Sequence, residues 1–424
     1  MFVLWVQELT EISLNYGTGK VSVEIPDRNY SGTLVVREPE GMRNPQEKIL
    51  RCLRKPTNSD SLNRLARPGD RVAIVVDDHT RPTPTGIILQ PILEELKRAG
   101  VRKDNVSIVF ACGVHRKVKE REAKKLLGEE IAEDIEWISH DCEAEDMVYI
   151  GTTSYGTRVE INPLVAEADL RILTGDICYH FFAGYGGGRK SLLPGVASKE
   201  ATTKNHSMIV RPKAEIGVLK GNPVHEDMVE GARFADPSFI VNVVQNTKNR
   251  ITKVFCGELE SAFYKGVNFL DSIYRVRSDK ADIVVVSAGG YPKDIDLYQA
   301  YKAIHNALPV VNEGGIIIFV AECREGGGNS VFREWMEKYS TADQMRKELE
   351  RNFVMGAHKA YYLARALQKV KIYMVSEMPE KELENIYRIT PVGSVEEALE
   401  DAFNTVKKDG KIKVVPHGSA ILAY

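Results

Sequence analysis

Short apolar, β-branched runs alternating with amphipathic stretches of helical period constrain this chain more than any other feature. Residues 72–76, 106–111 and 170–173 form three such runs, and 283–286, 316–320, 372–375 and 412–415 form four more. A run without polar alternation suits a strand covered on both faces. Strands separated by helices imply a largely parallel sheet with right-handed crossovers. Helices are expected at 84–99, with Thr83 as N-cap, Pro84 at the first helical position and Gly100 closing it, and at 296–312, 332–350 and 395–407. Ahead of these, residues 11–15 and 21–25 flank Tyr16-Gly17-Thr18-Gly19, a hairpin pattern. At 424 residues the chain is long for one core and comfortable for two. The reading is therefore α/β, with two α/β domains (1–272 and 273–424, the break falling within 265–280), largely parallel sheets and an active-site cleft between the domains.

Composition narrows the function classes. The 57 basic and 59 acidic side chains leave a formal net charge of −2, so no global field recruits nucleic acid or an anionic membrane. Apolar runs such as 316–321 are far too short to cross a bilayer. Residues 1–10 have no basic flank and no small-residue cleavage site, and no signal peptide is expected. Six scattered cysteines without a C-x-x-C pair argue against a zinc ribbon or a disulfide framework and for a reducing cytoplasm.

Three clusters follow expected strands, the positions where open α/β sheets bind ligands. The first is Asp77-Asp78-His79-Thr80-Arg81-Pro82-Thr83-Pro84. Its prolines stiffen the loop, the helix beyond it offers N–H groups to an anion, and Arg81 can clamp a carboxylate or phosphate. The bland reading is a capped loop with a surface ion pair. The second is Gly113-Val114-His115-Arg116, whose imidazole is suited to proton transfer, although a lone histidine is more often structural. The third is Gly175-Asp176-Ile177-Cys178-Tyr179-His180 followed by Gly184-Tyr185-Gly186-Gly187-Gly188-Arg189-Lys190-Ser191. Three successive glycines let backbone amides approach a phosphate closely. Neither the Walker A spacing nor the dinucleotide G-x-G-x-x-G pattern fits. A flexible glycine turn would leave His180 and Lys190 on its flanks unexplained. Further along, His206 stands 16 residues after Lys190, and Gln299 and Lys302 share a helix face at i, i+3. His358 and Lys359 are adjacent, while His225 and His305 read as ordinary.

Together these pieces resemble the lactate racemase family that uses a nickel-pincer nucleotide. The resemblance runs from the Asp78-x-Thr80-Arg81-Pro82 loop into the C-terminal domain, and residues 175–208 are its most specific part. It implies a covalent thioamide link from Lys190 to a pyridinium bis-thiocarboxylate mononucleotide, with nickel held by that cofactor and by His206. It implies that Gly186, Gly187, Gly188, Arg189 and Asp78 belong to the cofactor-binding group, and that His115 and His180 are the catalytic acid/base pair, one for each enantiomer. Arg81 and Lys302 match residues that hold the substrate carboxylate, with Gln299 and Asp78 in support. The implied reaction is racemisation of lactate or a related small 2-hydroxy acid by hydride transfer to and from the cofactor. The implied partners are that acid and the enzymes that build the cofactor. No matched position departs from the family pattern. Substrate size is set elsewhere, with Tyr298, Tyr361 and Tyr362 as candidates, and His79 and His358 receive no role. Two competing readings remain open: a phosphate-binding transferase, which requires a Mg²⁺-binding acidic pair near the loop with Asp176 as the nearby candidate, and a binding module without activity.

Overall fold

The computed structural model describes residues 9–406 and 409–424. Residues 1–8, on which the signal-peptide reading largely rests, and Lys407, the expected end of the last helix, lie outside the described residues. The chain divides into two compact units, Glu38–Ser272 and a second made of Met1–Arg37 with Ile273–Tyr424.

The larger unit is built on a six-stranded sheet. In spatial order its strands are Ile251–Gly257, Phe239–Gln245, Leu170–Asp176, Val72–Asp77, Val106–Ala111 and Glu136–Ser139. Every neighbouring pair is parallel except the first, which is an antiparallel pair between consecutive strands. Ile74, Val76, Ile108, Phe110, Ile172 and Val241 are fully buried in one core, and Ala73, Val75, Val109 and Leu173 are buried as well. Burial of both faces explains why these strands read as continuous apolar runs. Because the central strands are parallel and in register, Asp77, Ala111 and Asp176 all emerge at one edge of the sheet.

Helix Thr85–Arg98 follows the first cluster, and Gly100 closes it in the left-handed region at φ +84°. Its start differs from expectation. Pro84 occupies the cap position, and the Thr83 hydroxyl, instead of capping, donates to Asp77 Oδ2 at 2.5 Å. A buried carboxylate at the strand end competes successfully for that hydroxyl.

The smaller unit also carries a six-stranded sheet, parallel throughout. Its order is Thr390–Pro391, Lys371–Val375, Val311–Val320, Ala281–Ser287, Ile412–Val415 and Tyr30–Thr33. The last strand corrects the expectation of an N-terminal domain running from residue 1. Tyr30–Thr33 pairs with Ile412–Val415, and the hairpin Leu9–Tyr16/Gly19–Pro26 buries Leu14, Val23 and Ile25 in the same core as Ile283, Ile316 and Val414. The expected helix over 332–350 is two helices, Ser330–Lys338 and Ala342–Arg351. Thr341 and Gln344 form a capping box that restarts the chain. The helix expected over 296–312 ends at Ala307, where Leu308–Val310 tightens into a 3₁₀ turn containing Pro309. No helix among the described residues is long and apolar enough to cross a membrane.

Candidate active site

The carboxyl edge of the larger unit's sheet gathers the first two clusters. Asp78 is 2% exposed, and both of its oxygens are engaged. Oδ1 accepts the Thr80 amide at 3.0 Å and the Thr80 hydroxyl at 2.6 Å, while His115 Nδ1 lies 2.8 Å from Oδ2. Burial raises the Asp78 carboxyl, but hydrogen bonds from His115 and Thr80 outweigh it and hold the group below its ordinary value. An ionised carboxylate only accepts, so His115 carries its proton on Nδ1 and presents a lone pair on Nε2. Arg81 is exposed, and its guanidinium forms no ion pair among the described residues.

The glycine segment is tighter than an open phosphate cradle. The Gly186 amide donates to the Cys178 carbonyl at 2.7 Å and the Gly188 amide to Asn242 Oδ1 at 2.8 Å. Gly188 adopts φ +56°, and a Cβ there would meet the Phe263 ring at 3.0 Å. These glycines therefore permit close packing, and two of their three amides are taken up by the Cys178 carbonyl and the Asn242 side chain. That close packing buries Arg189 to 1% exposure. Its guanidinium donates to the Ala183 carbonyl at 2.7 Å and the Gly187 carbonyl at 3.1 Å and stacks 4.6 Å above Phe263. Burial pushes Arg189 down to about 9.

One aromatic ring collects the remaining groups. Phe182 meets His180 edge-on at 4.6 Å and His206 at 5.0 Å between ring centres, with Lys190 Nζ 6.0 Å from its centroid. Burial, reinforced by the guanidinium groups of Arg81 and Arg189, drives Lys190 well below the ordinary lysine range. That shift favours the neutral, nucleophilic form of the amine. Burial and then the charges of Lys190 and Arg81 hold His180 well below its usual value as well. The Ala183 amide donates to His180 Nδ1 at 3.3 Å, so the neutral ring carries its proton on Nε2. His115 and His180 thus present opposite faces, an acceptor nitrogen and a donor N–H.

Two carboxyls end adjacent strands beneath this loop. Burial, and then the nearby charge of Asp77, raises Asp176 to about 7. Burial raises Asp77 too, against the opposing hydrogen bond from Thr83. Sequence reasoning found Asp176 but not Asp77 as its neighbour, because only the parallel register joins them. An unfolded aspartate ionises near 3.8, so between that pH and about 7 the folded chain binds more protons than the unfolded chain. Stability therefore falls as pH rises across that window. Asp176→Asn removes the penalty. Its gain in apoprotein stability over wild type is expected to be larger at pH 8 than at pH 5, by at most about 3 kcal/mol. Equal gains at the two pH values in thermal denaturation would contradict this.

Of the residues expected on the smaller unit, Gln299 is exposed and Lys302 half-buried on helix Leu297–Ala307, whose N-cap Asp296 accepts the Gln299 amide at 2.6 Å. Lys359 was not given a role from sequence. It is buried, donates to the Tyr298 carbonyl and lies 3.6 Å from that ring's centroid. Burial, with a contribution from Lys302, brings it down to about 7. His225 is structural: it is 3% exposed, stacks on Phe263, and burial lowers it to about 2.

The residues present suit the nickel-pincer nucleotide that the resemblance implies. At the glycine segment lie two buried polar atoms with no hydrogen-bond partner among the described residues, Arg189 Nε and Asn242 Nδ2. Buried atoms of this kind are costly unless something pairs with them, and a polar nucleotide is such a partner.

Comparison with known proteins agrees with the geometry. The model of the lactate racemase N-terminal domain matches residues 16–217, and that of the lactate racemase C-terminal domain matches residues 276–423. A lactate racemase of Thermoanaerobacterium thermosaccharolyticum is 36% identical over 98% of this chain and 99% of its own length. One from Lactiplantibacillus plantarum is 34% identical over 98% and 100%. The structure of the lactate racemase apoprotein from T. thermosaccharolyticum superposes with a TM-score of 0.90 at 35% identity, covering 98% of this chain and 100% of that one. With both domain models matched and identity above a third along nearly its whole length, the chain belongs to the lactate racemase family of isomerases.

Proposed function

We propose that this chain interconverts L- and D-lactate with a nickel-pincer nucleotide joined to Lys190 and ligated through His206. The observation that carries the reading is the grouping of the Lys190 amine with His180 and His206 around the Phe182 ring. Held by Lys190 and His206, the cofactor would supply a reversible hydride acceptor for the C2 hydrogen of a 2-hydroxy acid.

The chain's own residues handle the proton and the carboxylate. His115 Nε2 accepts the substrate hydroxyl proton, and Asp78 fixes the ring that does so and stabilises the imidazolium that results. His180 is assigned the matching acid on the opposite face: protonated by solvent when substrate is bound, it gives that proton to the same oxygen as His115 releases the one it took, and the roles exchange for the other enantiomer. Arg81, which forms no ion pair among the described residues, clamps the carboxylate, and Lys302 and Gln299 are assigned to the same anion. Arg81→Ala is expected to raise KM and lower kcat together, by about tenfold or more in kcat/KM, because an ion pair that positions the substrate acts in both states. An unchanged KM in steady-state assays would count against the contact.

Other small 2-hydroxy acids use the same machinery, and a panel of lactate, malate and longer or aromatic analogues separates them. Lactate must be turned over fastest for the proposal to stand. The cofactor-building enzymes are required partners, and six cysteines joined by no disulfide suit a cytoplasmic setting.

A further inference from the structure

His206 is held by a buried polar chain that no part of the sequence pattern announced. Asn205 is fully buried beside it on helix Lys199–His206. The Asn205 Nδ2 donates to the Val224 carbonyl at 3.1 Å and to Asp227 Oδ2 at 2.7 Å. Asp227, also fully buried, is fixed in turn by the Thr153 hydroxyl on Oδ1 at 2.5 Å and the Thr157 hydroxyl on Oδ2 at 3.0 Å. A backbone carbonyl can only accept, so Nδ2 must face Val224 and Asp227, and Oδ1 must face the other way. Oδ1 lies 3.1 Å from His206 Nδ1. An amide oxygen has no proton to give.

From this we infer that Asn205 is a positioning residue that locks His206 with its proton on Nδ1, making Nε2 the metal-binding nitrogen, and that Asp227 and the Val224 carbonyl hold Asn205 in that orientation. The inference rests on the proposed role of His206 as nickel ligand only in its last step; the tautomer follows from the hydrogen bonds alone. A ligand imidazole whose other nitrogen donates to a fixed acceptor keeps its ring orientation and gains basicity, and loss of such a partner costs about 10–100-fold in metal affinity. Buried to 4% exposure and edge-on to Phe182, the His206 ring also has little freedom to turn.

The test has two arms. In the first, long-range ¹H–¹⁵N correlation spectra of the wild-type apoprotein, with His206 assigned by comparison with His206→Gln, report which ring nitrogen is protonated. Nδ1 of the protonated type and Nε2 of the unprotonated type are expected; the reverse pattern overturns the inference without any Asn205 variant. In the second, Asn205→Leu, close to isosteric but unable to accept, is expected to give mixed or reversed tautomers. It is also expected to lose nickel to a competing chelator at about 10–100-fold lower chelator concentration than wild type. Asp227→Ala should move both readouts in the same direction to a smaller extent. Wild-type nickel retention in Asn205→Leu overturns the role assigned to Asn205. A wild-type chain that shows the expected tautomer but takes up no nickel overturns the metal-ligand role of His206 instead.

Discussion

Lys190→Ala is expected to abolish racemisation, by on the order of 10³-fold or more, while leaving the chain folded. The lysine contributes nothing favourable to the apoprotein as a charged group. Burial and two guanidinium groups oppose its protonation, and no carboxylate forms an ion pair with it among the described residues. Removing it should leave the melting temperature unchanged or raise it, the usual signature of a residue kept for chemistry at the expense of stability. Lys190→Arg should be equally inactive, because a guanidinium stays protonated and cannot act as an acyl acceptor. The check is a thermal melt, an intact mass and a racemisation assay on one preparation co-produced with the cofactor-building enzymes. A folded variant that keeps wild-type activity would remove the covalent anchor from the account.

The second large effect is expected from the two imidazoles. His115→Ala and His180→Ala should each reduce interconversion by about 10²–10⁴-fold, the range typical of a lost acid/base group. Loss of one should disable both directions at equilibrium turnover, since each enantiomer needs one ring to take the hydroxyl proton and the other to give it back. The pair is also arranged asymmetrically in the apoprotein. Asp78 fixes the proton on His115 Nδ1, and the Ala183 amide leaves it on His180 Nε2. Activity within threefold of wild type in either variant, measured from both enantiomers, would reject the two-base scheme.

Much of this was legible in the sequence for physical reasons. Parallel strands buried on both faces announce themselves as unbroken runs, so the central strands of both sheets were placed correctly from 72–76, 106–111, 283–286 and 316–320. Candidate groups held in one short segment, as from His180 to Lys190, were equally visible as a cluster. Pairings between distant segments carried no such signal. Tyr30–Thr33 is too short to betray that it edges the smaller unit's sheet against Ile412–Val415. Asp77 meets Asp176 only through the strand register, and Asp227 reaches Asn205 from a separate helix. Phe182, which gathers His180, His206 and Lys190, reads in sequence as one more apolar residue. Thr83 misled because its hydroxyl had two acceptable partners, and the buried Asp77 carboxylate won.

The central claim is that Lys190 carries the cofactor that makes the site a racemase. Its most direct test is a peptide-resolved mass measurement of the wild-type chain, co-produced with the cofactor-building enzymes, read together with nickel content and conversion of L-lactate to D-lactate. The account predicts a mass adduct on the Lys190 peptide, about one nickel per chain and racemisation that scales with the modified fraction. An unmodified, nickel-free chain under those conditions, or one that racemises lactate without the adduct, would contradict it.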